Sequence, residues 1–389
     1  MDEYFGIYEK FDILRLMLKD KTRVLMAYKN AIFNMKEKFQ GKVVMDVGAG
    51  SGILSIFCAE VGAKKVYAIE ASMLAKTLEQ VLIENNLQST IEVIHCEVAD
   101  IHPDSLEKID IIVSEWMGFY LVHEGKLDSV LFARDKFLRK GGLIFPSIAK
   151  LYASLCQLSS MYEFRNACVP LPVYLNTRCI GKEYRKIKSM EPEVLLLNRD
   201  SLLSSEELKI RDIRTVENSE IFEKLLVFLD LNIISKSVNL LGEEYVLTCK
   251  SGKYQGICIW FVIEFPDGSK LSTAPYNEPT HWKQTVVVLP TVIEVKNLEC
   301  IAFKLNLKRD ALNRRRYTIE LNLLDTKEIQ QRNLRTYLIE RTIYNRDTYS
   351  VMINRYPTFP HVGCITAYSL PQETIRNRYM RFLNFSSYT

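Results

Sequence analysis

Glu115 and Glu124 bracket the segment Ser114-Glu115-Trp116-Met117-Gly118-Phe119-Tyr120-Leu121-Val122-His123-Glu124. A carboxylate pair on one loop can grip a guanidinium from two sides, because the planar arginine fork matches carboxylate geometry and stays protonated. Glutamates usually end as solvated loop acids. That reading leaves unexplained why Trp116, Met117, Phe119, Tyr120 and Leu121 crowd between these two. Carboxylates among aromatics at the mouth of a crevice are costly unless a cation is held there.

A glycine-rich turn, Val44-Met45-Asp46-Val47-Gly48-Ala49-Gly50-Ser51-Gly52, lies about sixty residues before this glutamate segment. Such a turn after an apolar strand lets backbone approach a nucleotide-like cofactor. The pattern suits NAD or FAD as well as S-adenosyl-L-methionine. Glu70, at the end of the next apolar run, suits a carboxylate that accepts both ribose hydroxyls; a nucleotide-free role also stands. No Gly-Lys-Ser/Thr follows the glycines, so a Walker lysine is excluded. Thr280-His281-Trp282 is a third constellation, although a lone His-Trp is more often structural. Together these residues suggest an enzyme acting on arginine.

The elements that would position them follow from periodicity. Residues 4–39 read as helix, with Leu14, Met17, Leu18, Leu25, Tyr28, Ile32 and Phe33 at three- and four-residue spacing. Strands are expected at 42–46, 65–69, 91–94, 109–113 and 143–145. Helices are expected at 53–61, 73–85 and 126–138. This alternation predicts a doubly wound α/β sheet, whose ligands bind beyond the carboxyl ends of the strands. Gly48, Glu70, the stretch around Val98 and Glu115 all fall just past strand ends. After Pro146 the runs become short and β-rich (150–156, 245–249, 256–265, 284–289, 301–307, 316–323), as in a sandwich or barrel. Residues 161 to about 200 are irregular, aromatic and basic, and read as an inserted arm.

Composition narrows the class. The 389 residues are 48% apolar and 25% charged, ordinary for a soluble globular protein. No apolar run reaches the roughly 18 residues of a membrane span, so no membrane partner is expected. The acidic N-terminus lacks a signal-peptide pattern. Nine scattered cysteines without a CxxC pair favour a reducing compartment, cytoplasmic or nuclear, and argue against a metal site. Residues 326–389 hold nine Lys/Arg and four Asp/Glu, a charge of +5, so the rest of the +4 chain carries −1. The body is therefore nearly neutral, which argues against nucleic-acid binding outside the tail.

With these motifs in order, residues 4 to about 325 resemble the protein arginine methyltransferase family. Tyr4-Phe5-Gly6-Ile7-Tyr8 resembles its N-terminal lid, and Asp46–Gly52 its cofactor loop. Ser114–Glu124 resembles its double-glutamate loop, and Pro279-Thr280-His281-Trp282 its THW loop. The resemblance implies a helical lid (1–40), a Rossmann-like S-adenosylmethionine-binding domain (41–146) and a β-barrel domain (147–325). An inserted dimerisation arm (about 161–200) and a C-terminal extension (326–389) complete that organisation. It also implies roles. Glu115 and Glu124 would hold the substrate guanidinium, with Met117 and Trp282 shaping its pocket. Arg23 would pair with the cofactor's methionine carboxylate, Gly48 and Gly50 would admit its backbone contacts, and Asp46 would support them. Glu70 would take the ribose, Val98 and Ala99 the adenine, and Met17 would lie near the methyl path. Tyr8, with Tyr4 and Phe5, would close over the bound cofactor, and His281 with Asp20 is the candidate proton relay. S-adenosyl-L-methionine would be consumed and S-adenosyl-L-homocysteine released. Expected partners are basic, histone-like or Arg-Gly-rich proteins and a second copy of the chain.

Some positions depart from the family pattern. Lys126 stands where methionine is frequent, Phe119 where tyrosine is, Leu14 where a histidine is, and Ala99 where a glutamate contacts adenine. Glu97 or Asp100 could substitute for the last. The changes leave open a weak or inactive scaffold of the same fold, while a methyltransferase for RNA or a small molecule would leave the glutamate pair without a cation. Seven tyrosines among the basic residues of 326–389 suit either an RNA or partner surface or a segment packed on the body. Arg314-Arg315-Arg316 reads as a charged turn before a strand or as a nuclear signal.

Overall fold

The computed structural model describes residues 25–160, 193–203, 227–230, 240–247, 250–297, 300–310, 315 and 317–324. Expectations for Tyr4, Phe5, Tyr8, Leu14, Met17, Asp20 and Arg23, for most of the arm and for 326–389 fall outside those residues.

The first half follows the predicted alternation closely. Helices α1 (Met26–Asn34) and α2 (Lys36–Phe39) lead into β1 (Val43–Val47), then α3 (Ile53–Glu60) and β2 (Lys65–Ile69). Next come α4 (Leu74–Glu84), β3 (Ile91–Ile94), β4 (Ile109–Val113), α5 (Leu127–Phe137) and β5 (Leu138–Phe145). The five strands form one sheet in the order β3-β2-β1-β4-β5, and every pairing in it is parallel. All five residues of β1 are buried, as expected of a central parallel strand covered on both faces by helices.

Two expectations change. The continuous helix breaks at Met35, whose backbone (φ −109°, ψ 23°) leaves the helical region. The break buries Phe39 while Lys36 and Lys38 stay outside. Asn34 at the end of α1 donates to Asp267 Oδ2 (3.0 Å), which ties the helix to a distant turn. Strand β5 also starts five residues earlier than expected. Its register shifts against β4 between Ile109 and Ile111, and that irregularity accommodates the polar Arg139-Lys140-Gly141-Gly142. A run with two glycines gives no strand signal.

The second half is antiparallel. Strands β6 (Ile148–Cys156), β7 (Glu193–Leu195), β8 (Val227–Asp230), β10 (Gly252–Glu264) and β12 (Gln284–Val295) align as β7-β12-β10-β6-β8, with β11 (Lys270–Ser272) beside β10. Strands β9 (Leu240–Leu247), β13 (Cys300–Arg309) and β14 (Tyr317–Leu324) form a second sheet, β14-β13-β9. This is the expected α/β-plus-β-barrel class. Residues 193–195, assigned above to the arm, are instead an edge strand on β12. One continuous core joins Val44, Met45 and Ile112 of the parallel sheet to Ile257, Ile259 and Leu305 of the barrel strands. No described helix is long and apolar enough to cross a membrane.

Candidate active site

The glycine turn is built by its backbone. Gly48 and Gly50 both adopt positive φ (76° and 54°), and Ile69 O accepts from Gly48 N and Ala49 N (2.9 Å each). The turn is thereby clamped to the end of β2. Glu70, 8% exposed, accepts from Gly50 N through Oε2 and from Ser72 N through Oε1, each at 2.8 Å. A carboxylate offers about four lone-pair sites, so each oxygen keeps acceptor capacity after these bonds. That geometry fits a ribose diol. Gly48, Gly50, Glu70, Cys96, Glu97 and Val98 line one cavity. Ala99 is exposed and is not in that lining, whereas its acidic neighbour Glu97 is.

Asp46 sits beneath the turn, fully buried, where Ser55 Oγ of α3 donates to its Oδ2 at 2.7 Å. Its Oδ1 has no partner. Burial pushes the carboxyl up to about 7, against the Ser55 bonds that lower it. A carboxyl raised on folding makes the folded state bind the extra proton. Its contribution to stability is therefore greatest in acid and falls as pH rises from the unfolded value towards about 7. Between pH 5 and pH 8 the cofactor-free wild type should lose roughly 2–3 kcal/mol relative to Asp46→Asn. Denaturant unfolding of both proteins across that range measures it; a pH-independent difference would show that burial does not perturb Asp46.

The two glutamates stand at the base of a hairpin. Gly118 and Leu121 exchange backbone hydrogen bonds (2.9 Å each), folding the segment back on itself. Trp116, Met117, Tyr120, Leu121 and Val122 are buried. The aromatics therefore anchor the loop in the core rather than line a pocket mouth, while Phe119 is exposed. Tyr28 of α1 donates to Ser114 O (2.9 Å), and Ser114 Oγ donates to Val47 O (2.7 Å), which places Glu115 beside the glycine turn. Glu115 accepts from Met117 N (3.1 Å). Burial holds its carboxyl above the ordinary range, opposed chiefly by Lys126 and His281. Glu124 adopts positive φ (76°) and its N–H donates to Arg315 O at 2.9 Å.

The other predicted residues divide into two groups. His281 lines the same cavity as Glu115. Trp282, 3% exposed, is instead packed edge-on against Phe261 and donates Nε1–H to Met117 O at 3.0 Å. Trp282 and Met117 thus form one support behind Glu115 and are not in the cavity lining. Arg315 and Lys126 are in it. Arg315 carried no site signal in the sequence, because its turn comes from the barrel half and meets the hairpin only through the fold. Tyr120 extends that junction by donating to Tyr317 O (3.2 Å), with His123 Nδ1 2.8 Å from the same hydroxyl.

A parallel sheet in the order β3-β2-β1-β4-β5, a glycine turn and a strand-end carboxylate make a Rossmann-like cofactor domain, and the proteins it is similar to make that domain a methyltransferase's. Family models agree on both halves: residues 29–123 match the ribosomal protein L11 methyltransferase (PrmA) model, and 182–327 match the arginine methyltransferase oligomerization subdomain. Probable protein arginine N-methyltransferase 6.1 of Oryza sativa subsp. indica is 34% identical over 349 residues, covering 82% of this chain and 87% of the relative. Protein arginine N-methyltransferase 6 of Danio rerio is 36% identical over 302 residues, covering 75% and 80%. Among solved structures, the Trypanosoma brucei PRMT1 enzyme-prozyme heterotetrameric complex with AdoHcy aligns with TM-score 0.71 at 27% identity, covering 81% of this chain and 94% of that one. Arabidopsis thaliana protein arginine methyltransferase 10, in an open conformation, aligns with TM-score 0.69 at 28% identity, covering 82% and 94%. The chain belongs to the protein arginine N-methyltransferase family, enzymes that take their methyl group from S-adenosylmethionine.

Proposed function

We propose that the chain methylates arginine in basic, histone-like or Arg-Gly-rich proteins, yielding monomethyl- and asymmetric dimethylarginine, as a homodimer built through its arm. The observation that carries this reading is the placement of Glu115 at the base of the hairpin, on the same cavity as Glu70 and the glycine turn.

Glu70 would hold the cofactor's ribose, and the backbone at Gly48 and Gly50 would admit its amino-acid portion. When bound, S-adenosylmethionine supplies an electrophilic methyl group on a sulfonium. Glu115 and Glu124 would take opposite edges of the guanidinium and fix one nitrogen towards the cavity. Their charge concentrates electron density on that nitrogen, whose lone pair is otherwise spread over three. Positioning and preorganised charge then do most of the catalysis. The nitrogen becomes acidic only as it is methylated, so no strong base is needed, and His281, which lines the same cavity, would accept the proton with Asp20 as its relay partner.

Labelled methyl transfer to histone and Arg-Gly-rich peptides tests the activity, and mass spectrometry of the product tests its type. We expect monomethyl followed by asymmetric dimethyl product. A symmetric product would overturn the type, and absence of transfer to every arginine peptide would overturn the substrate.

A further inference from the structure

Lys126 Nζ lies 3.5 Å from Glu124 Oε2, with the two side chains only 26% and 18% exposed. It also lines the cavity of Glu115 and, more than His281, opposes the rise of the Glu115 carboxyl. A cation therefore already stands on the glutamate that the substrate must use. Its backbone position makes the placement more telling. Lys126 is the N-cap residue of α5, the positive end of an eleven-residue helix, and makes no side-chain cap bond there. Cations are disfavoured at that end, so the helix does not hold the ammonium in place and the Glu124 carboxylate is its counter-charge.

We propose that Lys126 is an internal competitor for Glu124 that sets the affinity and charge selectivity of the arginine pocket; the inference rests on the reading of Glu115 and Glu124 as the guanidinium grip. An arginine fork needs carboxylate oxygens free for paired N–H···O bonds, and the ammonium holds one of them. Binding arginine must therefore displace Lys126 from Glu124 and leave it beside a second cation and the helix N-terminus. Lys126 offsets one of the two carboxylate charges, so a neutral residue at 126 would make the pocket one unit more negative. Lys126 thus weakens arginine binding and lowers the preference for a charged over a neutral side chain. The interaction precedes methyl transfer, so it acts on KM more than on kcat. Lys126 is a specificity-determining residue in this scheme.

The test uses the full chain saturated with S-adenosylhomocysteine and two basic peptides that differ at one position, arginine or its neutral isostere citrulline. Lys126→Met and Lys126→Gln should each tighten the arginine peptide about three- to fivefold, the scale of one partly exposed charge pair, and leave the citrulline peptide unchanged. KM for the arginine peptide should fall by a similar factor. An unchanged arginine affinity in both variants, or an equal shift for both peptides, would overturn the proposal. These binding ratios decide the role of Lys126 even if no arginine peptide is methylated, an outcome that would count only against the functional reading.

Discussion

Glu124→Gln should lower kcat/KM for an arginine peptide about 10²–10³-fold, the scale of losing one preorganised charged contact to a reacting group. The change is nearly isosteric. The place of residue 124 is set by its backbone, through the N–H to Arg315 O and the positive φ, and neither depends on side-chain charge. Folding and S-adenosylhomocysteine binding should therefore persist, since Glu70 and the glycine turn, proposed to hold the cofactor, make no use of the Glu124 side chain. The amide cannot concentrate charge on one guanidinium nitrogen, and it removes the counter-charge of Lys126. Labelled methyl transfer together with calorimetric binding of S-adenosylhomocysteine separates the two effects. Near wild-type turnover in the variant would show that the hairpin's second glutamate does not hold substrate.

Gly118→Ala should cost about as much activity without touching a charge. A Cβ at Gly118 would lie 2.3 Å from His123 O and 2.7 Å from His123 C, both backbone atoms. Side-chain adjustment cannot relieve that contact, so the two arms of the hairpin must separate. His123 immediately precedes Glu124, and a displacement of about 1 Å in a positioned group can cost on the order of 100-fold in rate. Overpacking of a buried loop should also destabilise the protein by about 1–3 kcal/mol. We expect kcat/KM to fall about 100-fold with cofactor affinity retained, measured by the same assay and titration. If the variant kept full activity, the close approach of Gly118 to His123 would not be what spaces the glutamates.

Both predictions depend on features of unequal legibility in the sequence. The parallel half was readable because its strands are short apolar runs and its helices repeat at three and four residues, patterns imposed locally by burial. The strands closing at Ile69, Ile94 and Val113 end where expected and β1 runs one residue further, to Val47, so Gly48, Glu70 and Glu115 could be placed at one sheet edge. The break at Met35 was not readable, because Asn34 finds its partner at Asp267, more than 200 residues away. Nor was the start of β5, where Leu138 pairs with Ile109 and the two basic residues and two glycines that follow lie in the irregularity before Leu143 rejoins β4.

The site divides in the same way. Residue types and spacing alone put the carboxylate pair and the glycine turn at one sheet edge, since the charge, the fork geometry and strand-end positions are local properties. The tertiary structure alone decided which neighbours those carboxylates have. It turned Trp282 and Met117 into a support behind Glu115, left Ala99 outside the cavity, and brought Arg315 from the barrel half to the hairpin. It also set Lys126 against Glu124. In the sequence that lysine two residues beyond a glutamate has no direction. Only the positive-φ backbone at Glu124 and Gly125, followed by the start of α5, brings the ammonium to the carboxylate.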